Sequence, residues 1–471
     1  MMTKLSFSLH QPTALGRILL LALGAGIGAS ASRADVGGVY FDDNENAAAG
    51  DPSFLFNATF TGESNVGLGR EVMTNLTTGS FNTATGDRAL SSNTTGGDNV
   101  ATGAGALAEN TSGLNNTATG DSALNSNTTG DNNVATGFLA LLSNTTGTLN
   151  VATGTGALTE NTTGNNNVAT GPSALLANTT GNQNVATGRG TLQANTTGDF
   201  NTATGDEALF SNTTGVDNVA TGVDALLSNT TGNDNVATGA SALRSNTTGD
   251  DNVASGDGAL GENITGDFNV ASGSGALFGN TTGGFNVATG GSALGENTTG
   301  IGNVATGASA LLANTTGDNN VATGRKALVS NTTGVHNVAT GQSALSANTT
   351  GNGNVAYGRN TLRNTTGNRN LALGPGAGQN LTTGSHNVAI ANDGIAGDAG
   401  TIRIGTNGTQ TATFIAGIRR TTLGGAKPVV VSSNGQLGVA PANSASTASL
   451  AATVERLQRQ IERLREQVKG G

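Results

Sequence analysis

The chain has 471 residues, 74 of them Gly, with 3% aromatic residues, 11% charged residues and neither Trp nor Cys. An ordinary globular enzyme carries about 25% charged residues and many more large apolar side chains, so a thick conventional core is excluded, as are disulfides and thiolate metal sites. Three histidines (His10, His336 and His386) leave a histidine triad or zinc site almost nothing to use, and 21 basic against 31 acidic residues repel phosphate backbones, so no nucleic-acid partner is expected.

Residues 1–34 read as a secretory signal. Lys4, His10 and Arg17 give a basic start, residues 18–27 (ILLLALGAGI) a short apolar run, and small residues place cleavage after Ala31 or Ala34. The run falls short of the roughly 18–20 residues that a membrane span needs. Export to the cell surface, the medium or the periplasm is expected, with no integral membrane anchor of its own. Removal of the segment leaves 18 basic residues against 31 acidic. Residues 35–64 form an N-terminal flank in which Phe41, Phe54, Phe56 and Phe60 could build a plug. The run Asp42-Asp43-Asn44-Glu45 lacks the spaced ligands of a calcium loop and reads as solvated.

The main message is a repeat. An Asn opens a motif at 65, 82, 99 and every 17 residues to Asn354, then at Asn370 and Asn387: 20 copies with one single-residue deletion. The consensus is N-V-A-T-G-x-x-A-L-x-x-N-T-T-G-x-x. Gly recurs four residues on from Gly69 to Gly374, and Leu eight residues on from Leu90 to Leu362. Seventeen residues cannot close a helix pair. N-V-A-T suits a short strand, A-L a second, and N-T-T-G a tight turn with Gly at positive φ. The expected fold is therefore all-β, a parallel β-solenoid of about 20 coils over residues 65–391. In one example coil the ladder positions are Asn99, Val100, Ala101, Gly103, Leu107, Asn110 and Gly113. Strand alternation puts Val100 and Thr102 on one side, Asn99, Ala101 and Gly103 on the other, and separates Ala106 from Leu107. Apolar residues on both faces predict burial on both, hence a homo-oligomer.

Asn-Thr-Thr is formally a glycosylation sequon. Coils one strand spacing (about 4.8 Å) apart leave no room for a glycan on each, so these amides are read as capping their own turns and laddering. Asn75-Leu76-Thr77 and Asn380-Leu381-Thr382 insert a Leu near each end, as capping coils require.

Past residue 391 the period stops. Residues 402–404, 411–418 and 428–439 alternate like strands, with Asn434-Gly435 as a hairpin turn, giving a β neck over residues 392–443. A linker over residues 441–449 leads to a helix whose Leu450, Val454, Leu457, Ile461, Leu464 and Val468 form a heptad seam. Glu455 with Arg459, and Arg459 with Glu462, can pair outside it. Val and Ile at a with Leu at d favour two strands.

The repeat NVATGxxALxxNTTG resembles head repeats of trimeric autotransporter adhesins (YadA-like) and repeats of bacteriophage-type tail fibres. Residues 402–439 look like the neck before an endosialidase-type chaperone domain, a domain this sequence lacks. The resemblance implies a trimeric left-handed β-roll used for surface adhesion, against the dimer that the heptads favour. The function expected is an exported structural, adhesin-like fibre that attaches to an extracellular surface or receptor. Variable positions such as Asp98, Leu114, Asp131, Phe200, Phe268 and Phe285 would decorate its scaffold. The alternative is an ice- or carbohydrate-binding solenoid using stacked Thr and Asn ladders, although Val interrupts a double Thr rank in most copies. With acidic residues scattered and no paired acid and base, no catalytic residue, cofactor or metal is expected.

Overall fold

A computed structural model describes residues 39–42, 44–51, 60–415, 429–433, 435–439 and 445–469. The signal segment, Phe54 and Phe56 lie outside them. The chain is a parallel β-solenoid. Strands β1 (Val39–Phe41), β2 (Ala47–Asp51) and β3 (Val66–Arg70) lead into three-residue strands, β4 (Thr83–Thr85), β5 (Val100–Thr102) and β6 (Thr117–Thr119), which recur at the repeat spacing to β22 (Val388–Ile390) and β23 (Ile402–Ile404). All 23 belong to one sheet. β1 runs antiparallel to β2, and each later strand pairs in parallel with the next coil's strand, Val100 with Thr117, Ala101 with Ala118 and Thr102 with Thr119.

Each coil has one strand, not two. Ala106 and Leu107 lie in a turn, and both are fully buried. Leu107 takes φ +54° and Gly105 φ +65°. Left-handed backbone on either side of Ala106 breaks the strand alternation, so two consecutive side chains point inward. The turn still bonds from coil to coil: Leu107 donates N–H to Ala123 O at 3.0 Å and Glu109 to Asn125 O at 2.8 Å. The interior is a thin column of Ala101, Ala106 and Leu107 equivalents between two rows of buried Asn. Val100 faces out and stays 39% exposed. Of the two faces expected to be buried, the chain itself encloses only the inner one.

Both glycines of the motif are there for close approach. Gly103 has φ +139°, and a Cβ on it would sit 2.3 Å from Gly120 O. Gly113 does not have the positive φ expected of it. A Cβ there would meet Asn110 Oδ1 and Gly130 O at 2.5 Å, so only Gly lets the coils stack at this corner.

The ends depart from the expected boundaries. Asn46-Ala47-Ala48-Ala49-Gly50, inside the N-terminal flank, makes a first coil through β2. Residues 402–404, read as neck, form the last parallel strand. There Arg403 occupies the inward Ala position and closes the end by a two-point ion pair with Asp398 (2.5 and 2.7 Å). Phe60 packs on the core, whereas Phe41 is 64% exposed and plugs nothing. Residues 411–415 are not a strand. Strands β24 (Val429–Val431) and β25 (Leu437–Val439) form the expected antiparallel hairpin. Helix α1 (Ala445–Lys469) begins within the stretch read as linker.

Candidate binding faces of the rod

Two buried amide ladders run along the solenoid. In the first, Asn116 donates Nδ2 to Asn99 Oδ1 (3.1 Å) and to Gly130 O (2.9 Å), while its backbone N–H also donates to Asn99 Oδ1 (2.9 Å). This ladder begins at Asn46, which donates to the Asp42 carboxylate. Asp42 thus caps the ladder from within the acidic run read as solvated. The second ladder runs through the sequon asparagines: Asn110 donates to Asn93 Oδ1 (2.9 Å) and to Gly113 O (3.2 Å). Each of these amides is fully buried and bonds both its own turn and its neighbour. No face of either ladder reaches solvent, so neither Asn row can touch a ligand.

The second ladder stops where the repeat changes. Buried Leu76 takes the Asn position before Asn93. After Asn348 the single-residue deletion brings Thr365 into that position, and Asn348 Oδ1 is left buried with no donor. In the next coil Gly378 replaces the core Leu, and Leu381 fills the space, 3.2 Å from where a Gly378 Cβ would stand. The inserted leucines are therefore apolar stoppers.

What remains for a ligand lies outside. The variable residues before each opening Asn stand on one corner, held at positive φ and exposed, as in Asp98, Phe200, Phe268 and Phe285. Phe268 and Phe285 stack with ring centroids 5.0 Å apart. Asp217, Asp234 and Asp251 share the corner in successive coils, and none has an ion-pair partner among the described residues. Partial desolvation, then the facing Asp251, Asp217 and Asp250 carboxylates, raise Asp234 above the usual Asp value. Other variable acids are structural. Asp131 Oδ1 accepts the Leu114 N–H at 2.7 Å, and Asp318 serves Ile301 in the same way at 2.8 Å. Arginines such as Arg70 and Arg189 bridge neighbouring coils to Asp87 and Asp206. Those pairs are exposed to solvent, which screens them, so they add little to the stability of the rod.

The second outward surface is the strand face. On every strand from β3 to β23 the first and third residues point out, and not one is charged. From β4 to the strand ending at Thr340 the pair is Val or Thr followed by Thr or Ser. Nearer the end it becomes Val355 and Tyr357, Leu371 and Leu373, Val388 and Ile390, then Ile402 and Ile404. The turn threonine Thr111 donates its hydroxyl to Thr128 O. By contrast, the outward hydroxyls of Thr102, Thr119 and Thr136 make no hydrogen bond among the described residues.

A shallow groove of about 440 Å³ lies between corner residues, including Asp87, Arg88, Glu109 and Asp121, and an open one of about 580 Å³ lies against Ile461, Leu464 and Val468 of α1. Among the described residues no cluster of His, Asp and Glu could hold a metal ion, and no helix is long and apolar enough to cross a membrane. The seam residues of α1 are all exposed, from 48% at Val454 to 83% at Val468, as are Val429, Val431 and Leu437 in the hairpin. Arg459 pairs with Glu455 at 3.1 Å. No protein-family model, curated protein or solved structure matches this chain.

Proposed function

We propose that the chain is an exported, non-catalytic attachment rod, an adhesin-like fibre that self-associates at its C-terminal end. The observation that carries this reading is the division of the repeat. Its Asn, Ala, Leu and Gly positions are enclosed by neighbouring coils, while its charged and aromatic variable residues stand on solvent-facing corners. Such a rod holds an extended array of side chains in fixed register, and the grooves among its described residues are open rather than shaped to surround a small substrate. The signal-like residues 1–34 and the resemblance to YadA-like head repeats support export and surface attachment.

Self-association is supported by apolar side chains that the chain itself leaves uncovered: Leu371, Leu373, Ile402 and Ile404 on the last strands, and the α1 seam. A helix with this seam gains its stability from a partner helix. The resemblance favours three copies and the heptad chemistry two. Absolute mass by light scattering, on residues 35–471 with and without residues 444–471, separates these assemblies from a monomer. A purified rod that stays monomeric and attaches to no cell or matrix surface would overturn the proposal.

A further inference from the structure

We infer that the uncharged outward strand face, from β4 to the strand ending at Thr340, binds ice. The inference rests on the reading of the chain as an attachment rod and names the surface to which this face attaches.

Three observations carry it. The first is neutrality: in a chain of net charge −10, all charged side chains are kept off this face over the whole span. A charged polymer, or a protein partner recognised by ion pairs, would find no complement there. The second is the unused hydroxyl rank. Thr at the third strand position recurs in coil after coil, with Ser255 and Ser272 the sole variants between Thr85 and Thr340, and these hydroxyls have no hydrogen-bond partner among the described residues. Strand propensity accounts for a β-branched residue at this position, but Val would serve equally, as it does two residues earlier. Repetition of a hydroxyl in identical register matters to a ligand that is itself periodic.

The third observation is dimensional. Parallel strands in register set the outward side chains about 4.8 Å apart along the rod and about 6.6 Å apart across each strand. Water oxygens held tetrahedrally at about 2.75 Å have second neighbours at about 4.5 Å and a layer repeat of about 7.3 Å along the hexagonal axis. The array therefore approximates an ice plane in both directions. The mismatch along the rod, about 0.3 Å per coil, accumulates to about 1.5 Å over five coils. Contact patches four or five coils long follow, several of them in series. Val in the first rank does not spoil the match, because a methyl on this lattice fills a gap between oxygens while the adjacent Thr supplies the hydroxyl. Crystalline polysaccharide is the weaker occupant, since no outward position from β4 to the strand ending at Thr340 offers an aromatic ring for a sugar to stack on.

The test uses the full exported chain. Thermal hysteresis and partition into slowly grown ice are measured for the native protein, for Thr187→Lys with Thr238→Lys, and for the corner variant Asp234→Asn. The native protein and the corner variant should show hysteresis and enter the ice. The double Lys variant should lose roughly tenfold, because it inserts charges that the ice must desolvate, while its circular dichroism and mass stay unchanged. A native protein excluded from ice overturns the inference, and cell or matrix attachment retained in that sample shows that the attachment reading survives it. Unchanged hysteresis in the Lys variant also overturns it. So does a fall in oligomer mass in that variant, which would make the face a contact between copies.

Discussion

Replacing Asn218 by Ala removes one rung from the first amide ladder in the middle of the rod. Asn218 is fully buried and donates Nδ2 to Asn201 Oδ1 (3.1 Å) and Gly232 O (2.8 Å). Both acceptors keep another donor, the Asn218 backbone N–H and the Asn229 amide respectively. The damage falls on the other side. Asn218 Oδ1 accepts the backbone N–H of Asn235 (3.1 Å) and its amide (3.2 Å). The amide can still reach Gly249 O, but the Asn235 N–H is stranded inside the coil. An unsatisfied buried donor costs about 1–3 kcal/mol, and the lost amide bonds add about 1 kcal/mol. A local cost of about 3 kcal/mol follows, equivalent to roughly 100-fold faster local opening. Amide exchange followed by mass spectrometry should show this acceleration in peptides spanning 218–252 and leave coils beyond 320 untouched, because a solenoid couples chiefly nearest neighbours. Thr204→Val is the control, since it deletes an exposed hydroxyl with no partner among the described residues and should leave exchange unchanged. Unaltered protection of Asn235 in the Ala variant would refute the assignment of stability to the ladder.

Other perturbations give equally direct outcomes. Gly205→Ala places a Cβ 2.4 Å from Gly222 O at a backbone φ of +137°, so the coils must part; several kcal/mol of local destabilisation should split the melting curve into two blocks. Asp234, raised above its unfolded value, destabilises the rod at neutral pH and is relieved as pH falls through its folded pKa; Asp234→Asn should raise mid-rod exchange protection at pH 7 and reduce its gain on mild acidification. Asp398 has the opposite sign: the Arg403 hydrogen bond holds it below the usual Asp value, so its contribution is present above that value and lost as pH falls through the lower folded one. Exchange protection of the last coil should therefore fail only in stronger acid, and a loss already complete at mild acidity would refute this. Leu457→Glu, in the α1 seam, should lower the assembled mass seen by light scattering without changing the solenoid's circular dichroism; an unchanged mass would place the contact elsewhere.

The repeat and its period were legible in the sequence because each coil repeats the same packing problem. Asn99, Ala101, Leu107, Asn110 and Gly113 meet their own copies one coil away, so a single solution is written many times over. The parallel register and the laddered sequon amides follow from that spacing alone. What one coil does inside its 17 residues was not legible. Leu107 sits at positive φ, where propensity would never place it, because backbone bonds to the next coil and burial of its side chain outweigh a local cost of about 1–2 kcal/mol. That tertiary choice turned an expected second strand into a turn and moved Ala106 and Leu107 to the same side. The first coil at Asn46 was hidden by its spacing of 19 rather than 17, although Asn46-Ala47-Ala48-Ala49-Gly50 carries the motif's Asn, Ala and Gly. Residues 402–404 were legible as a strand, but their place in the solenoid was hidden by Arg403, tolerated at an inward position because Asp398 folds back to meet it. Sequence thus determined which residues must be equivalent, since stacking demands identity. Only the folded chain decided which equivalent residues face in, because that depends on left-handed corners held by the coils above and below.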